Sequence, residues 1–216
     1  MSSQNSHIAS PLISRDIRFP QLNTSEPLKI AVLISGTGSN MVAIQRAICA
    51  GKLDASIELV VSSNVKAAGI QKARELGLDV LVFSKEDYAC LDKVEQKMVD
   101  NFKARGVEYV VMAGYMRKVG RVLLNAFENA VINLHPALLP KFPGAHGIQD
   151  AFDAGERETG ITIHLANKEY DEGPILYQRT VPILEDDTVE TLEERIHAAE
   201  HEAYPFVLQQ ISCGML

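Results

Sequence analysis

The chain has 216 residues, of which 46% are hydrophobic and 23% charged, a composition typical of a folded globular protein of one α/β domain. Its formal net charge of −7 argues against non-specific nucleic-acid binding, which depends on a basic surface. Cys49, Cys90 and Cys213 form no CxxC pair, so neither a disulfide framework nor a structural zinc site is indicated. With no membrane-length apolar run and no leader pattern, the sequence predicts a cytoplasmic protein without nucleic-acid or membrane partners.

Residues 1–27 are rich in Ser, Asn and Pro and have no sustained periodicity. This predicts a flexible N-terminal extension outside the core. The pattern changes at Leu28, so residues 28–216 are predicted to form the single domain of the chain.

From Leu28 onward, short apolar runs alternate with segments of helical spacing, which predicts parallel strands joined by helical crossovers. The predicted strands are 29–34, 57–61, 80–83, 109–113 and 131–134, and the predicted helices are 41–50, 67–76 and 91–105.

After Pro136 the rhythm changes. The predicted elements are a loop rich in Pro and Gly, a short helix at 148–154, two hairpin strands at 159–165 and 175–181, and a last helix. Asp187 and Glu190, three residues apart, indicate a capping box that opens this helix. The predicted fold class is α/β: a single-domain, doubly wound, mostly parallel, Rossmann-like sheet with a C-terminal antiparallel hairpin and a final helix.

A glycine-rich motif, SGTGSN at residues 35–40, lies between the first predicted strand and the first helix. Its backbone N–H groups and the helix N-terminus favour a bound anion, although a tight turn without a ligand is the alternative. A dinucleotide fits poorly, because Met41 takes the third glycine position, Ser62 and Ser63 replace a ribose-binding acid, and no Walker lysine follows. The loop therefore favours a single phosphate monoester.

Two polar residues end the fifth predicted strand. Asn133 and His135 are two residues apart, so their side chains share a face at the carboxyl end of the strand, where open α/β sheets bind ligands. Pro136, Pro140 and Pro143 stiffen the loop that follows. A lone strand-end histidine is more often structural, but this pair beside a rigid loop favours a functional site.

Two further patterns are weaker. Asp171 lies in the hairpin turn after a strand that carries His164, and acids are common in turns for conformational reasons alone. The HxxEH pattern of His197 to His201 matches a zinc peptidase motif. Such a site needs another ligand, so we expect an exposed or substrate-facing helix and no metal.

Several stretches together resemble the phosphoribosylglycinamide formyltransferase family of purine biosynthesis, from about residue 29 to residue 210. In order they are KIAVLISGTGSN, VVMAGYMR, VINLHPALLPKFPG, GITIHLANKEYDEGPILYQ and EHEAYP. The resemblance implies direct transfer of a formyl group from 10-formyltetrahydrofolate, a co-substrate, to the amine of glycinamide ribonucleotide. This reaction requires no metal. The resemblance leaves open whether the protein is a monomer or a homodimer.

The resemblance also assigns site residues. It implies that Asn133, His135 and Asp171 are catalytic, that Gly38, Ser39 and Asn40 hold the phosphate, and that Glu200 touches the ribose. The residues implied to bind the folate are Lys85, Met116, Arg117, Lys118, Val119 and Asn133, with the loop 166–171. Lys85 stands where the family often has an arginine, and lysine cannot make a bidentate contact.

Other activities use the same three catalytic residues. Methionyl-tRNA formyltransferase carries a C-terminal RNA-binding domain, and formyltetrahydrofolate deformylase usually carries an N-terminal regulatory domain. We expect neither of these domains in this protein. The hydrolytic deformylase remains the alternative activity. A non-catalytic binder of folate or of a nucleotide phosphate is disfavoured because Asn133, His135 and Asp171 are all present.

Overall fold

The computed structural model of this protein describes residues 19–22 and 25–216. The strands are β1 (Leu28–Ile34), β2 (Ala55–Ser62), β3 (Val80–Val82), β4 (Tyr109–Met112), β5 (Val131–His135), β6 (Glu158–Leu165) and β7 (Ile175–Pro182). The helices are α1 (Ser39–Cys49), α2 (Ala68–Glu75), α3 (Leu91–Ala104), α4 (Arg121–Ala126), α5 (Gly147–Asp153) and α6 (Val189–Ser212). None of these described helices combines the length and the apolar character needed to cross a membrane.

The seven strands form one sheet in the order β3-β2-β1-β4-β5-β6-β7. Strands β1 to β5 run parallel to one another, whereas β6 pairs antiparallel with β5 and β7 antiparallel with β6. This confirms the predicted fold class, including the C-terminal hairpin and final helix. The strand order changes direction at β1 and β4, and such a switch point opens a crevice at the carboxyl ends of the strands.

The central strands are buried on both faces because helices cover both sides of the sheet. Every residue of β4 is buried, as are six of the seven residues of β1, which explains why these segments are continuous apolar runs. Tyr204 of α6 is also fully buried. Its hydroxyl contacts the carbonyl oxygens of Met112 and Ile132, each at 3.0 Å, so α6 is attached to the last residue of β4 and to the first half of β5.

The capping box predicted for α6 is wrong by one residue. The helix begins after Thr188, whose hydroxyl accepts from the Thr191 N–H at 3.3 Å, while the Thr191 hydroxyl accepts from the Thr188 N–H at 3.0 Å. Asp187 instead accepts from the Leu184 N–H and pairs with Arg195, each at 2.7 Å. The arginine is eight residues away, so it had no part in the local pattern.

Helix α4 was not among the predicted elements. No side chain of its own caps it, and the carboxylate of Glu95 in α3 accepts from the Gly120 and Leu123 N–H groups at its start. Glu95 is 1% exposed, so this carboxylate is a buried cap supplied by another helix.

The predicted extension, residues 1–27, lies largely outside the described residues, which omit 1–18 and 23–24. In its described part, Phe19 and Leu22 are half-buried and pack against the core. Glu26 pairs with Lys29 at 3.3 Å. The boundary at residue 28 stays a prediction.

Candidate active site

Four polar side chains meet where β5 ends. Asn133 and His135 come from β5, and His164 from β6 lies directly opposite Asn133 in the antiparallel pair. Asp171 comes from the loop between β6 and β7. His135, His164 and Asp171 are 3%, 2% and 9% exposed, so the structure brings together the three predicted catalytic residues in a buried cluster, with His164 as a fourth member.

The two ring nitrogens of His135 both face oxygen atoms. Nδ1 is 3.3 Å from Oδ2 of Asp171, and Nε2 is 2.7 Å from the carbonyl oxygen of Phe142. A neutral imidazole has one N–H group and can donate to only one of these acceptors. The Nε2 contact with Phe142 has hydrogen-bond geometry, so Nε2 carries a hydrogen, and Nδ1 lies at ion-pair distance from Asp171, whose charge would stabilise a second proton there.

Burial works against that charge. It is the largest influence on His135 and lowers its pKa below the ordinary value, as does His164, whereas Asp171 and the Phe142 carbonyl raise it. Burial would raise the pKa of Asp171, but His164, the Gly144 N–H and His135 outweigh it and lower this pKa. Asp171 is therefore a carboxylate at neutral pH, whereas the lowered pKa leaves His135 mostly neutral there, so its imidazolium form releases a proton more readily than an exposed histidine would.

His164 sets the orientation of Asn133. Its Nδ1 lies 3.0 Å from the Leu165 carbonyl oxygen and so carries a hydrogen. Nε2 lies 3.1 Å from Nδ2 of Asn133 and 3.6 Å from Oδ1 of Asp171, so it accepts from Asn133 in the neutral ring and faces the carboxylate when it carries a hydrogen. The same Nδ2 is 3.4 Å from Oδ1 of Asp171. One N–H of Asn133 is thus well bonded, and the other makes a long contact that a substrate oxygen can replace.

The loop after β5 contributes backbone groups. The Phe142 carbonyl oxygen accepts a hydrogen bond from Nε2 of His135, and the Gly144 N–H donates to Oδ2 of Asp171 at 2.9 Å. Phe142 and Asp171 have φ angles of 53° and 55°, a left-handed conformation that is uncommon for residues other than glycine. These backbone contacts, and the strand pairing of His164, were missed because neither depends on a recognisable residue pattern.

The predicted phosphate loop opens a helix with free N–H groups. Gly38 has a φ angle of 69° and precedes α1, which has no side-chain cap and no acid in its first turn. The first N–H groups of a helix have no partner within it and carry partial positive charge. A Cβ atom at Gly38 would lie 2.9 Å from Cα of Gly69, so this glycine is needed for packing as well as for the turn.

A cavity of about 500 Å³ lies in front of this helix start. Ser39 and Asn40 line it from α1, and Glu193, His197 and Glu200 from α6. Leu134 and Pro136, which alternate along the chain with Asn133 and His135, form another part of its wall. The phosphate loop and the buried cluster therefore lie on the two sides of the end of β5, at two neighbouring cavities that together are called the cleft below.

Asn40 and Glu200 meet at the wall of this cavity. They are 6% and 4% exposed, and Nδ2 of Asn40 donates to Oε2 of Glu200 at 2.8 Å. Burial raises the pKa of Glu200, and the Asn40 hydrogen bond opposes that rise. Within the described part of the chain, Oδ1 of Asn40 is buried and has no partner, so a small movement of the side chain would let it accept from a donor on a ligand.

The residues expected to bind folate are divided between two places. Arg117, Lys118 and Val119 line a small cavity together with Asn133 and the loop 166–171. Its volume is about 30 Å³, room for water but not for a fused ring. Met116 is 71% exposed and lines the larger cavity, while Lys85 is exposed and lines neither.

The HxxEH residues do not converge on a metal site. The rings of His197 and His201 stack with centroids 6.3 Å apart, and Glu200 between them turns to Asn40. Across residues 25–216, no group of three or more His, Cys, Asp or Glu side chains is placed to hold a metal. His197 lines the large cavity, which matches a substrate-facing helix.

Known proteins are similar to this chain in sequence. The formyl transferase family matches residues 28–208. The phosphoribosylglycinamide formyltransferase of Bacillus subtilis is 39% identical over 183 residues, which cover 85% of this chain and 94% of that protein. The trifunctional purine biosynthetic protein adenosine-3 of Drosophila melanogaster is 39% identical over 188 residues, but these span 86% of this chain and 14% of that protein.

Solved structures agree in fold. Glycinamide ribonucleotide transformylase 1 from Geobacillus kaustophilus superposes with a TM-score of 0.83 at 40% identity, over 86% of this chain and 99% of that chain. Its counterpart from Symbiobacterium toebii has a TM-score of 0.85 at 36% identity and covers 93% of this chain and 94% of that chain. Both the sequence match and the fold extend over nearly all of the described domain, and the chain belongs to the formyl transferase family.

Proposed function

We propose that this protein transfers a formyl group from 10-formyltetrahydrofolate to the amine of glycinamide ribonucleotide. The observation that carries the proposal is one cleft with two different ends. An uncapped helix start lies at one end, and the buried cluster of Asn133, His135, His164 and Asp171 lies at the other. The names of the relatives in Bacillus subtilis and Geobacillus kaustophilus support the same activity.

The cleft places the two substrates end to end. The phosphate binds the N–H groups at the start of α1, and the ribose lies against Asn40 and Glu200. The unpaired amide oxygen of Asn40 accepts from a ribose hydroxyl group. The amine then reaches the end of β5. The reduced folate lies against residues 117–119, and because the small cavity cannot hold its ring, the loop 166–171 moves outward when folate binds.

The reaction follows from the groups at the end of β5. The amine nitrogen attacks the formyl carbon, and the formyl oxygen gains negative charge. The loosely held N–H of Asn133 donates to this oxygen, and so does His135 in its protonated form, which the negative charge developing on the oxygen favours. One such donor contributes about 3 to 4 kcal/mol to the lowering of a barrier.

The collapse of the intermediate needs a proton to move. The bond between the formyl carbon and the folate nitrogen breaks, that nitrogen gains a proton, and the attacking amine loses one. Asp171 stabilises the charge of His135 and relays the amine proton, through water, to the leaving folate nitrogen, so both side chains end the reaction in the protonation states in which they began it. No nucleophilic side chain and no metal takes part.

The test is an assay of the purified protein with 10-formyltetrahydrofolate, with and without glycinamide ribonucleotide, in the presence of a chelator. We expect the formylated ribonucleotide to form only when both substrates are present. Formate release without the ribonucleotide would instead establish the deformylase. Tight binding of both ligands with no turnover would establish a binding protein. The substrates are small molecules, and the assay needs neither nucleic acid nor membrane, in keeping with a cytoplasmic enzyme.

A further inference from the structure

The segment between β4 and α4 has no regular secondary structure, yet it carries the residues that face the folate in the proposed function. Its two ends are held through the backbone. The Met116 N–H donates to the Ser35 hydroxyl at 2.8 Å, and Gly120 donates to the buried carboxylate of Glu95. Arg117, Lys118 and Val119 lie between these anchors, so their position depends on side-chain contacts.

Tyr88 makes two such contacts. It belongs to a short 3₁₀ turn, Asp87–Ala89, on the far side of the segment. Its hydroxyl is 2.6 Å from the hydroxyl of Tyr115, and the Arg117 guanidinium lies over its ring, 4.4 Å from the centroid. Phe83 packs edge-on against the same ring with centroids 6.2 Å apart. Tyr88 itself lines neither cavity of the cleft.

We infer that Tyr88 is a positioning residue for folate binding, which it serves by holding Tyr115 and Arg117 and not by touching the ligand. The inference rests on the proposed function, since it assumes that residues 117–119 receive the folate. Tyr115 is 8% exposed, so the loss of its partner leaves a buried hydroxyl unpaired. The free energy of the segment is then lowered when that hydroxyl moves toward water, and Arg117 to Val119 move with it.

The test compares Tyr88→Phe with Tyr88→Leu. The first removes the hydroxyl and keeps the ring under Arg117, whereas the second removes both. We expect Tyr88→Phe to raise the KM for 10-formyltetrahydrofolate and the Kd for tetrahydrofolate by about five- to tenfold, and Tyr88→Leu to raise them further. The KM for glycinamide ribonucleotide and kcat should stay within about twofold of wild type.

Two further variants separate positioning from stability. Tyr177→Phe, on β7 against Phe206, is the matched control and should change neither folate constant. The double variant Tyr88→Phe/Tyr115→Phe leaves no unpaired hydroxyl and should recover part of the lost folate affinity. Recovery would identify the Tyr88–Tyr115 hydrogen bond as the cause, because two independent disturbances of the fold would instead give losses of folate affinity that add.

Several outcomes overturn the inference. They are unchanged folate constants in Tyr88→Phe, an equal rise for both substrates, or a lower melting temperature without any change in folate binding. An active wild type with one of these results refutes the role of Tyr88 alone. A wild-type protein that binds tetrahydrofolate but does not formylate the ribonucleotide refutes the proposed function alone, since the binding comparison can still be made. A wild type that binds no tetrahydrofolate refutes both.

Discussion

The two ends of the cleft are built from different parts of the polypeptide. At the proposed phosphate end the expected binding groups are backbone N–H groups of α1, and among the described residues no Lys or Arg lines the cavity in front of them. At the reaction end the groups are the side chains of Asn133, His135, His164 and Asp171. Backbone dipoles suffice to bind an anion, but proton transfer needs side chains with adjusted pKa values. Side-chain replacement should therefore affect the two ends very differently.

The largest effect is expected for Asp171→Asn at the reaction end. Asparagine tolerates the left-handed conformation of residue 171 but removes the charge that stabilises the imidazolium. We expect kcat to fall about 100-fold or more, with modest changes in the Kd of either substrate. The His135 pKa should fall further, because the carboxylate raises it. Single-turnover rates and NMR titration of His135 measure the two effects, and a near-normal rate would remove Asp171 from the mechanism.

The phosphate end is best probed by adding charge. Gly38→Val is a poor probe because a Cβ atom there meets Gly69. Ser39→Asp places a carboxylate in the first turn of α1, where it stabilises the helix but repels a phosphate. We expect the KM for glycinamide ribonucleotide to rise on the order of 30-fold, about 2 kcal/mol, without loss of thermal stability.

The neutral variant Ser39→Asn is the control for size, and its KM should change by no more than about threefold. The folate KM should stay the same in both variants. If Ser39→Asp bound the ribonucleotide normally, the phosphate would lie elsewhere in the cleft.

A smaller effect is expected for His164→Phe. Phenylalanine keeps the ring but cannot accept from Asn133, so the amide is free to rotate and present its oxygen to the site. We expect kcat to fall by about tenfold or less, since the amide still finds the right orientation part of the time. Asn133→Ala should then make the histidine change nearly silent, whereas independent roles would give multiplied losses.

The smallest expected effect is on the pH dependence of the free energy of unfolding. Because burial holds the pKa of His135 below its ordinary value of 6.5, the unfolded chain binds this proton more tightly than the folded chain. The stabilisation is fully present above pH 6.5 and is lost as the pH falls through the folded pKa. Asp171, also shifted downward, acts with the same sign but at lower pH.

Melting temperatures at pH 7.5 and 5.5 test this sign. Between these values the wild type should lose about 1 to 3 °C more than His135→Gln does. His201, whose pKa is also lowered by burial, contributes equally to both proteins. An identical loss in the two proteins would show that His135 takes up its proton without cost in the fold.

The sequence predicted the reaction end less completely than the phosphate end. The phosphate loop is a contiguous motif, and its position before a helix follows from chain order. Asn133 and His135 followed from alternate spacing on a strand. Asp171 became a candidate only through the family resemblance, because a turn acid has many ordinary explanations. His164 depends on the register of two antiparallel strands, which no local pattern determines.

The fold shows the same division between local and distant causes. The apolar run of β1 was predicted within one residue of its start, because burial on both faces leaves no polar position in the middle. Helix α4 was missed because its cap is Glu95, more than twenty residues earlier in the chain. The capping box of α6 was predicted at Asp187, but Asp187 pairs with the distant Arg195 and Thr188 caps the helix instead.

Ser35 joins the two ends of the cleft through a single hydroxyl. It lies in the phosphate loop, accepts from the Met116 N–H of the folate segment, and contacts the Ser63 hydroxyl at 2.6 Å. A shift of Ser35 when a phosphate binds would alter its hydrogen bond to Met116. By thermodynamic linkage such an effect would be reciprocal, so each substrate would change the affinity of the other by the same factor. Measuring the affinity of each substrate in the presence of the other tests whether this hydroxyl couples the two.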